Sequence, residues 1–295
     1  MFQAEINPYL EKYFQTLNKS RISQIVKYAV KDGKCIRGFI VKHVIETLTN
    51  ACVESWEPIV CVELIHAASL VIDDLPCMDN DDVRRGKASV FRAFGKHEAI
   101  LSAFYIVSQS LRLASAALKA KRAQADSTTS FELYDQLLKE WCDLLGNSLL
   151  VGQYLDLHGD LSATENMFDV SLGYDNLGGN IIKHKTCSLF SFAFVMGAVF
   201  SGKTENLKAF KDMGLHFGMM FQLMDDAKDM GEDKKDANYI LSQGKKAALT
   251  RYLHSRDSFV SLLHEQSLHT QKFIQLIEIM DARFLPVTSS MAVSE

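Results

Sequence analysis

The chain has 295 residues, with 32 Lys+Arg against 36 Asp+Glu and a formal net charge of −4. That balance excludes the basic footprint of a nucleic-acid-binding surface. Hydrophobic residues make up 47% of it, with only four Pro and sixteen Gly. Long uninterrupted spans and scarce β-branched alternation then predict an all-α protein with a large core, read as a single domain over 1–295. Six scattered Cys form no CxxC pair, as expected of a reducing, cytoplasmic setting rather than a disulfide framework or zinc site. The N-terminus lacks the layout of a signal peptide. No charge-free apolar run reaches the length of a membrane helix, and Leu189 to Phe200 comes nearest.

Residues 3–20 and 21–30 read as helices, the second stopped at Asp32-Gly33. GKCIRGFIV follows, in which Lys34 and Arg37 share a face if the segment is helical; a solvated basic turn is the plainer reading. Residues 39–54 continue as helix up to the break before Pro58. The next stretch, Glu63 to Gly86, reads ELIHAASLVIDDLPCMDNDDVRRG. Its apolar run is buried whether helix or strand, so Asp73 and Asp74 stand at the rim of something buried and need a compensating partner. The residue before Pro76 is pushed out of the helical region, ending the helix near Asp74 or Leu75. Asp79 must then return to Asp73 through a loop. His66 lies two turns before Asp73 on the same side. A core histidine and a phosphate contact are equally good readings of it. Carboxylates suit Mg²⁺, which takes one or two of them plus phosphate oxygens, and Arg84 and Arg85 supply forks that grip phosphate.

Residues 91–118 read as one long helix and the polar tract Lys119 to Ser130 as a surface loop. Helix resumes over 131–160, carrying Gln153 and Asp156, and again over Leu172 to Phe200, carrying Lys185 and Thr186. A snorkelling side chain is the plain reading of Lys185. A second acidic cluster closes GLHFGMMFQLMDDAKD. Asp225 and Asp229 sit at i, i+4 with Asp226 beside them, and Gln222 lies one turn earlier. Such a cluster alone is a common acidic helix end. Two apolar runs that each deliver carboxylates at their ends are what a metal site shared by two bundle helices requires. Residues 244–285 give further helices, and the tail 287–295 is expected to be disordered.

DDLPCMD, NDDVRRG and FQLMDDAKD together resemble the trans-isoprenyl diphosphate synthases, most closely geranylgeranyl diphosphate synthases of the bacterial and plastid type. The resemblance runs from Lys34 to about Asp229, more weakly to Arg283. It implies an isoprenoid synthase helical bundle, a homodimer, with both aspartate motifs facing a central apolar cavity. Asp73 and Asp79 with Asp74, and Asp225 with Asp226 and Asp229, would then hold Mg²⁺, or Mn²⁺, on an allylic diphosphate. Arg84, Lys185, Thr186 and Gln222 match allylic-diphosphate contacts; Lys34, Arg37, His66 and Arg85 match the isopentenyl diphosphate pocket. Ala68 and Ser69, about one turn below Asp73, lie at the level where a bulky aromatic stops the family's product at farnesyl; both being small implies geranylgeranyl diphosphate. Farnesyl or longer polyprenyl products and a non-catalytic subunit of a heteromeric synthase are the alternatives. A terpene cyclase would pair one DDxxD with an Asn/Ser/Glu motif that is not found near Asp225.

Four departures stand out. The family's GKRxRP is GKCIRG here, with Cys35 and Gly38 in place of Arg and Pro. Phe91 replaces a common His, and Ser102-Ala103-Phe104 replaces AGD. The loop after the second motif is short, with Asp236 where a lysine usually closes over diphosphate; Lys234, Lys235 or Lys245 is the expected substitute.

Overall fold

A computed structural model describes residues 2–122, 127–158, 177–231 and 238–289. Among these it is helical apart from a two-strand hairpin, and it divides into two compact units, Met1–Glu140 with Met196–Thr204 and Trp141–Val195 with Glu205–Glu295.

The first unit is organised around α4 (Glu57–Asp73), whose buried residues run almost unbroken from Pro58 to Ile65. It packs along α3 (Ile36–Thr49) and α6 (Lys96–Arg122). Helix α1 (Phe2–Thr16) stops short of the expected Asn18–Ser20. Asn18 Oδ1 instead accepts from the Ser20 N–H and the Ser23 hydroxyl, while Ser20 caps α2 (Arg21–Val30). Cys35 is the N-cap of α3 in the left-handed region (φ 57°). Lys34 therefore lies outside the helix, and the three-residue spacing does not place it on a shared helix face with Arg37. Asn50, also left-handed, ends α3 before the predicted residue 54. The helix expected over 91–118 is split at Gly95 (φ 108°) into α5 (Val90–Phe94) and α6, which runs on to Arg122. The polar tract is thus helical at both its ends, because α7 (Ser127–Leu144) begins within it; residues 123–126 lie outside the described ones. Among the described residues one helix, Lys96–Lys121, is long and apolar enough by length and composition to cross a membrane. Ala99, Ala103, Ile106, Leu113 and Ala114 of it are buried in the unit.

The second unit opens at Trp141, in the last turn of α7, which passes through a π-turn (Leu145–Leu150) into α8 (Val151–His158). Helix α9 (Leu177–Ile181) passes through a second π-turn (Ile182–Cys187) into α10 (Ser188–Ser201); residues 172–176 of the helix expected there lie outside the described ones. Then come α11 (Leu207–Asp229), α12 (Tyr239–Gln243), α13 (Lys245–Glu265) and α14 (Gln271–Ser289). Phe190, Phe194, Phe217, Phe259 and Phe273 form the aromatic core, with ring centroids 5.0–6.1 Å apart along the chain of contacts. Two glycines allow close approach at the second π-turn. A Cβ on Gly218 would lie 2.6 Å from Cys187 Cα, and one on Gly152 would lie 2.6 Å from Lys185 N. Both set the second π-turn against its neighbours. Helix α14 continues through Pro286 to Ser289, so the expected disorder does not begin at 287; residues 290–295 lie outside the described ones.

Candidate active site

At the end of α4 the chain turns as Pro76 dictates. The helix closes at Asp73, the Asp79 N–H donates to the Asp73 carbonyl (2.8 Å), and the Asn80 N–H donates to Leu75 O (3.1 Å). Asp73 and Asp79 are thereby held together by backbone, one half-buried and one exposed. Asp74 has a different environment. It is 1% exposed, and its Oδ1 accepts from Arg84 Nε (2.8 Å) and pairs with Arg84 Nη2 (2.6 Å), which also reaches Asp81 (2.6 Å). Burial raises the Asp74 carboxyl pKa, against the opposing pull of Arg84. Asp74 is thus the anchor of Arg84, and the hairpin Val83–Arg84/Lys87–Ala88 presents that arginine.

The other predicted isopentenyl diphosphate residues lie close enough for their charges to act on His66. His66 is pushed well below the ordinary histidine range, first by burial and then by the charges of Arg37, Arg85, Arg84 and Lys34. Arg85 Nη1 donates to the carbonyls of Ala29, Val30 and Lys31 (2.9, 2.9 and 3.1 Å), closing the C-terminus of α2. Ser69 Oγ donates to His66 O (3.0 Å), and Ala68 is buried; both sit one turn below Asp73, as the sequence implied.

In the second unit, Asp225 and Asp229 lie half-buried on α11, with Lys228 bonded to Asp229 (2.6 Å). The second π-turn carries Lys185 and Thr186. Lys185 Nζ pairs with Asp156 (2.7 Å), so it is held by a carboxylate rather than merely snorkelling. Thr186 Oγ1 donates to Gln222 Oε1, and Gln222 Nε2 donates to Asp226 Oδ1, both at 2.8 Å. Asp226 is 3% exposed; its Oδ2 accepts from the Tyr239 N–H and its carbonyl from Asn238 Nδ2, again at 2.8 Å. As in the first motif, the second aspartate is the buried one. Here it anchors the chain where it returns at Asn238-Tyr239. Lys234, Lys235 and Asp236 lie outside the described residues, and Lys245 opens α13.

Among the described residues no three His, Cys, Asp or Glu side chains converge into a closed ion site. The donor chemistry still fits magnesium. A few hard carboxylate oxygens at a rim leave most positions to substrate phosphates and water.

The sequence profile of the polyprenyl synthetase family matches residues 19–279. The chain belongs to the polyprenyl synthetase family. It is 31% identical over 223 residues to geranylgeranyl pyrophosphate synthase 10, mitochondrial, of Arabidopsis thaliana, covering 73% of this chain and 60% of that protein. It is 28% identical over 265 residues to geranylgeranyl pyrophosphate synthase 4 of the same plant, covering 85% and 67%. The chain thus spans about three fifths to two thirds of these relatives. Among solved structures, a geranyltransferase from Legionella pneumophila superposes with a TM-score of 0.74 at 23% identity, covering 96% of this chain and 95% of that one. That likeness establishes the isoprenoid synthase fold. Within this polyprenyl synthetase, reading by motif passed over Glu63, a buried carboxylate of α4 that accepts the Gly38 N–H at 2.7 Å. Its signal was available, as a lone carboxylate inside an apolar run.

Proposed function

We propose that this polyprenyl synthetase is a magnesium-dependent trans-prenyltransferase that joins isopentenyl diphosphate to an allylic diphosphate and makes geranylgeranyl diphosphate. The observation that carries the reading is the carboxylate turn that closes α4, where the Asp79 N–H donates to the Asp73 carbonyl at 2.8 Å and buried Asp74 holds Arg84 at 2.6 Å. A fixed guanidinium beside a carboxylate turn suits diphosphate and metal together. Asp73 and Asp79, like Asp225 and Asp229, would hold magnesium, which would supply charge neutralisation on the leaving diphosphate. Arg84, fixed by Asp74, and Lys185, fixed by Asp156, aim positive charge where negative charge develops as the allylic C–O bond breaks and its electron pair leaves with diphosphate. Lys34 and Arg37 hold the isopentenyl diphosphate. Its alkene electrons form the new C–C bond, and the proton then lost passes to the released diphosphate. The apolar residues of α4 below the rim keep water from the allyl cation.

The helix bears on product length. Ala68 and Ser69 put no bulky side chain at the turn below Asp73, about 5–7 Å down at 1.5 Å per residue, which supports a product longer than farnesyl. The relatives' names support the same product. Leu101 and Phe104 on α6 are 63% and 71% exposed, an apolar face that supports a homodimer. The test is direct. Purified protein with Mg²⁺, farnesyl diphosphate and labelled isopentenyl diphosphate should give the twenty-carbon diphosphate, and neither substrate alone should. Absence of any elongated product would overturn the reading.

A further inference from the structure

The turn that carries Lys34 and Arg37 is held from two sides by opposite charges. Arg85, itself in the left-handed region (φ 56°), caps the end of α2 just before the turn. Cys35 Sγ donates across the turn to Gly33 O (3.3 Å). On the other side stands Glu63 of α4, 3% exposed. Its Oε1 accepts the Gly38 N–H at 2.7 Å. This is one of the first amides of α3, whose positive dipole end favours a carboxylate. The contact is tight as well as polar: a Cβ on residue 38 would lie 3.1 Å from Glu63 Cγ and 3.2 Å from Oε1.

Proline, which the related motif has at this position, offers no N–H. Here the N–H is in use, by a buried carboxylate that would otherwise lose a hydrogen bond. Resting on the reading of Lys34 and Arg37 as the isopentenyl diphosphate pocket, we propose that Glu63 is a positioning residue for that pocket. Gly38 is its required partner: the pair sets the start of α3 so that Arg37 and Lys34 face the same diphosphate. Glu63 touches neither substrate; it acts through the turn.

The experiment measures both substrates' KM in Glu63→Gln, Gly38→Pro and the double variant, with isopentenyl diphosphate binding to each protein followed by calorimetry. Each single variant should raise the KM for isopentenyl diphosphate about tenfold or more, the worth of one charge-assisted hydrogen bond. The KM for the allylic substrate and kcat at saturation should stay within about twofold. The double variant should be no worse than the poorer single one, because both remove the same interaction. If Gly38→Pro fails to fold, Glu63→Gln decides alone. Equal loss for both substrates, multiplying effects in the double variant, or unchanged binding in Glu63→Gln would overturn the inference. Wild-type protein that binds isopentenyl diphosphate without elongating anything would sink only the activity. Wild-type protein that binds none would sink the positioning role as well.

Discussion

The backbone N–H of Asp79 donates to the carbonyl of Asp73 at 2.8 Å, so two carboxylates six positions apart in sequence move as one unit. Asp74, between them, is turned inward to Arg84. Replacing Asp73 or Asp79 with Asn should lower kcat by two or more orders of magnitude while leaving the melting temperature nearly unchanged, since neither is buried. Asp74→Ala should behave differently. It strips Arg84 of its buried partner and should cost about 1–2 kcal/mol of stability, less than a fully buried pair because Arg84 is partly exposed. Urea denaturation of the three variants beside their kinetics checks the contrast.

Product length should respond to the floor below Asp73. Ser69→Phe places an aromatic ring one turn down α4 and should shift the product from geranylgeranyl to farnesyl diphosphate, with geranyl diphosphate as starter. Chromatography of the dephosphorylated products reads it.

The chain Thr186–Gln222–Asp226–Tyr239 links the second π-turn to α11 and α12 through three hydrogen bonds of 2.8 Å. Thr186→Val leaves Gln222 Oε1 short of a donor and should cost about 1 kcal/mol of stability, with a fall in kcat of roughly tenfold. Asp226→Asn cannot satisfy both donors that now meet it. Faster amide exchange at Tyr239 is the expected signature.

Acid should weaken the second unit. Burial, then neighbouring charges, depresses His184 and His216 from the usual 6.5 to about 4. Below pH 6.5 the unfolded chain takes up protons that the folded chain refuses until about pH 4, so stability is lost as pH falls through that window. His216 faces His254, Asp212, Arg251 and Lys208, and His216→Phe should flatten the decline. Urea midpoints between pH 7 and 4.5 measure it.

If α6 pairs with a second copy, Leu101→Lys with Phe104→Lys should yield a monomer by sedimentation, with the fold retained, because both side chains are exposed in the single chain.

Much of this was legible in the sequence, and the reasons are local. Pro76 told where α4 must stop and that Asp79 returns by a loop. The i, i+4 spacing put Asp225 and Asp229 on one helix, with Gln222 a turn earlier. What stayed hidden are pairs made by the fold. Glu63 meets Gly38, and Asp226 meets Tyr239, across 25 and 13 residues, and no periodicity encodes such distances. The left-handed Cys35 that removed Lys34 from α3 also escaped, because only Gly and Asn advertise that conformation. The π-turns have no compositional mark at all.

The turn from Ile182 to Cys187 winds one residue wider than the regular screw around it. It works as a spacer in rotation rather than in length. Deleting a single residue there would let the coil tighten to the regular screw, leaving the helix on either side nearly in register while turning the residues within it. Thr186 would then point away from its glutamine with no change in composition, so an alignment gap at this turn would silence the site as surely as a substitution.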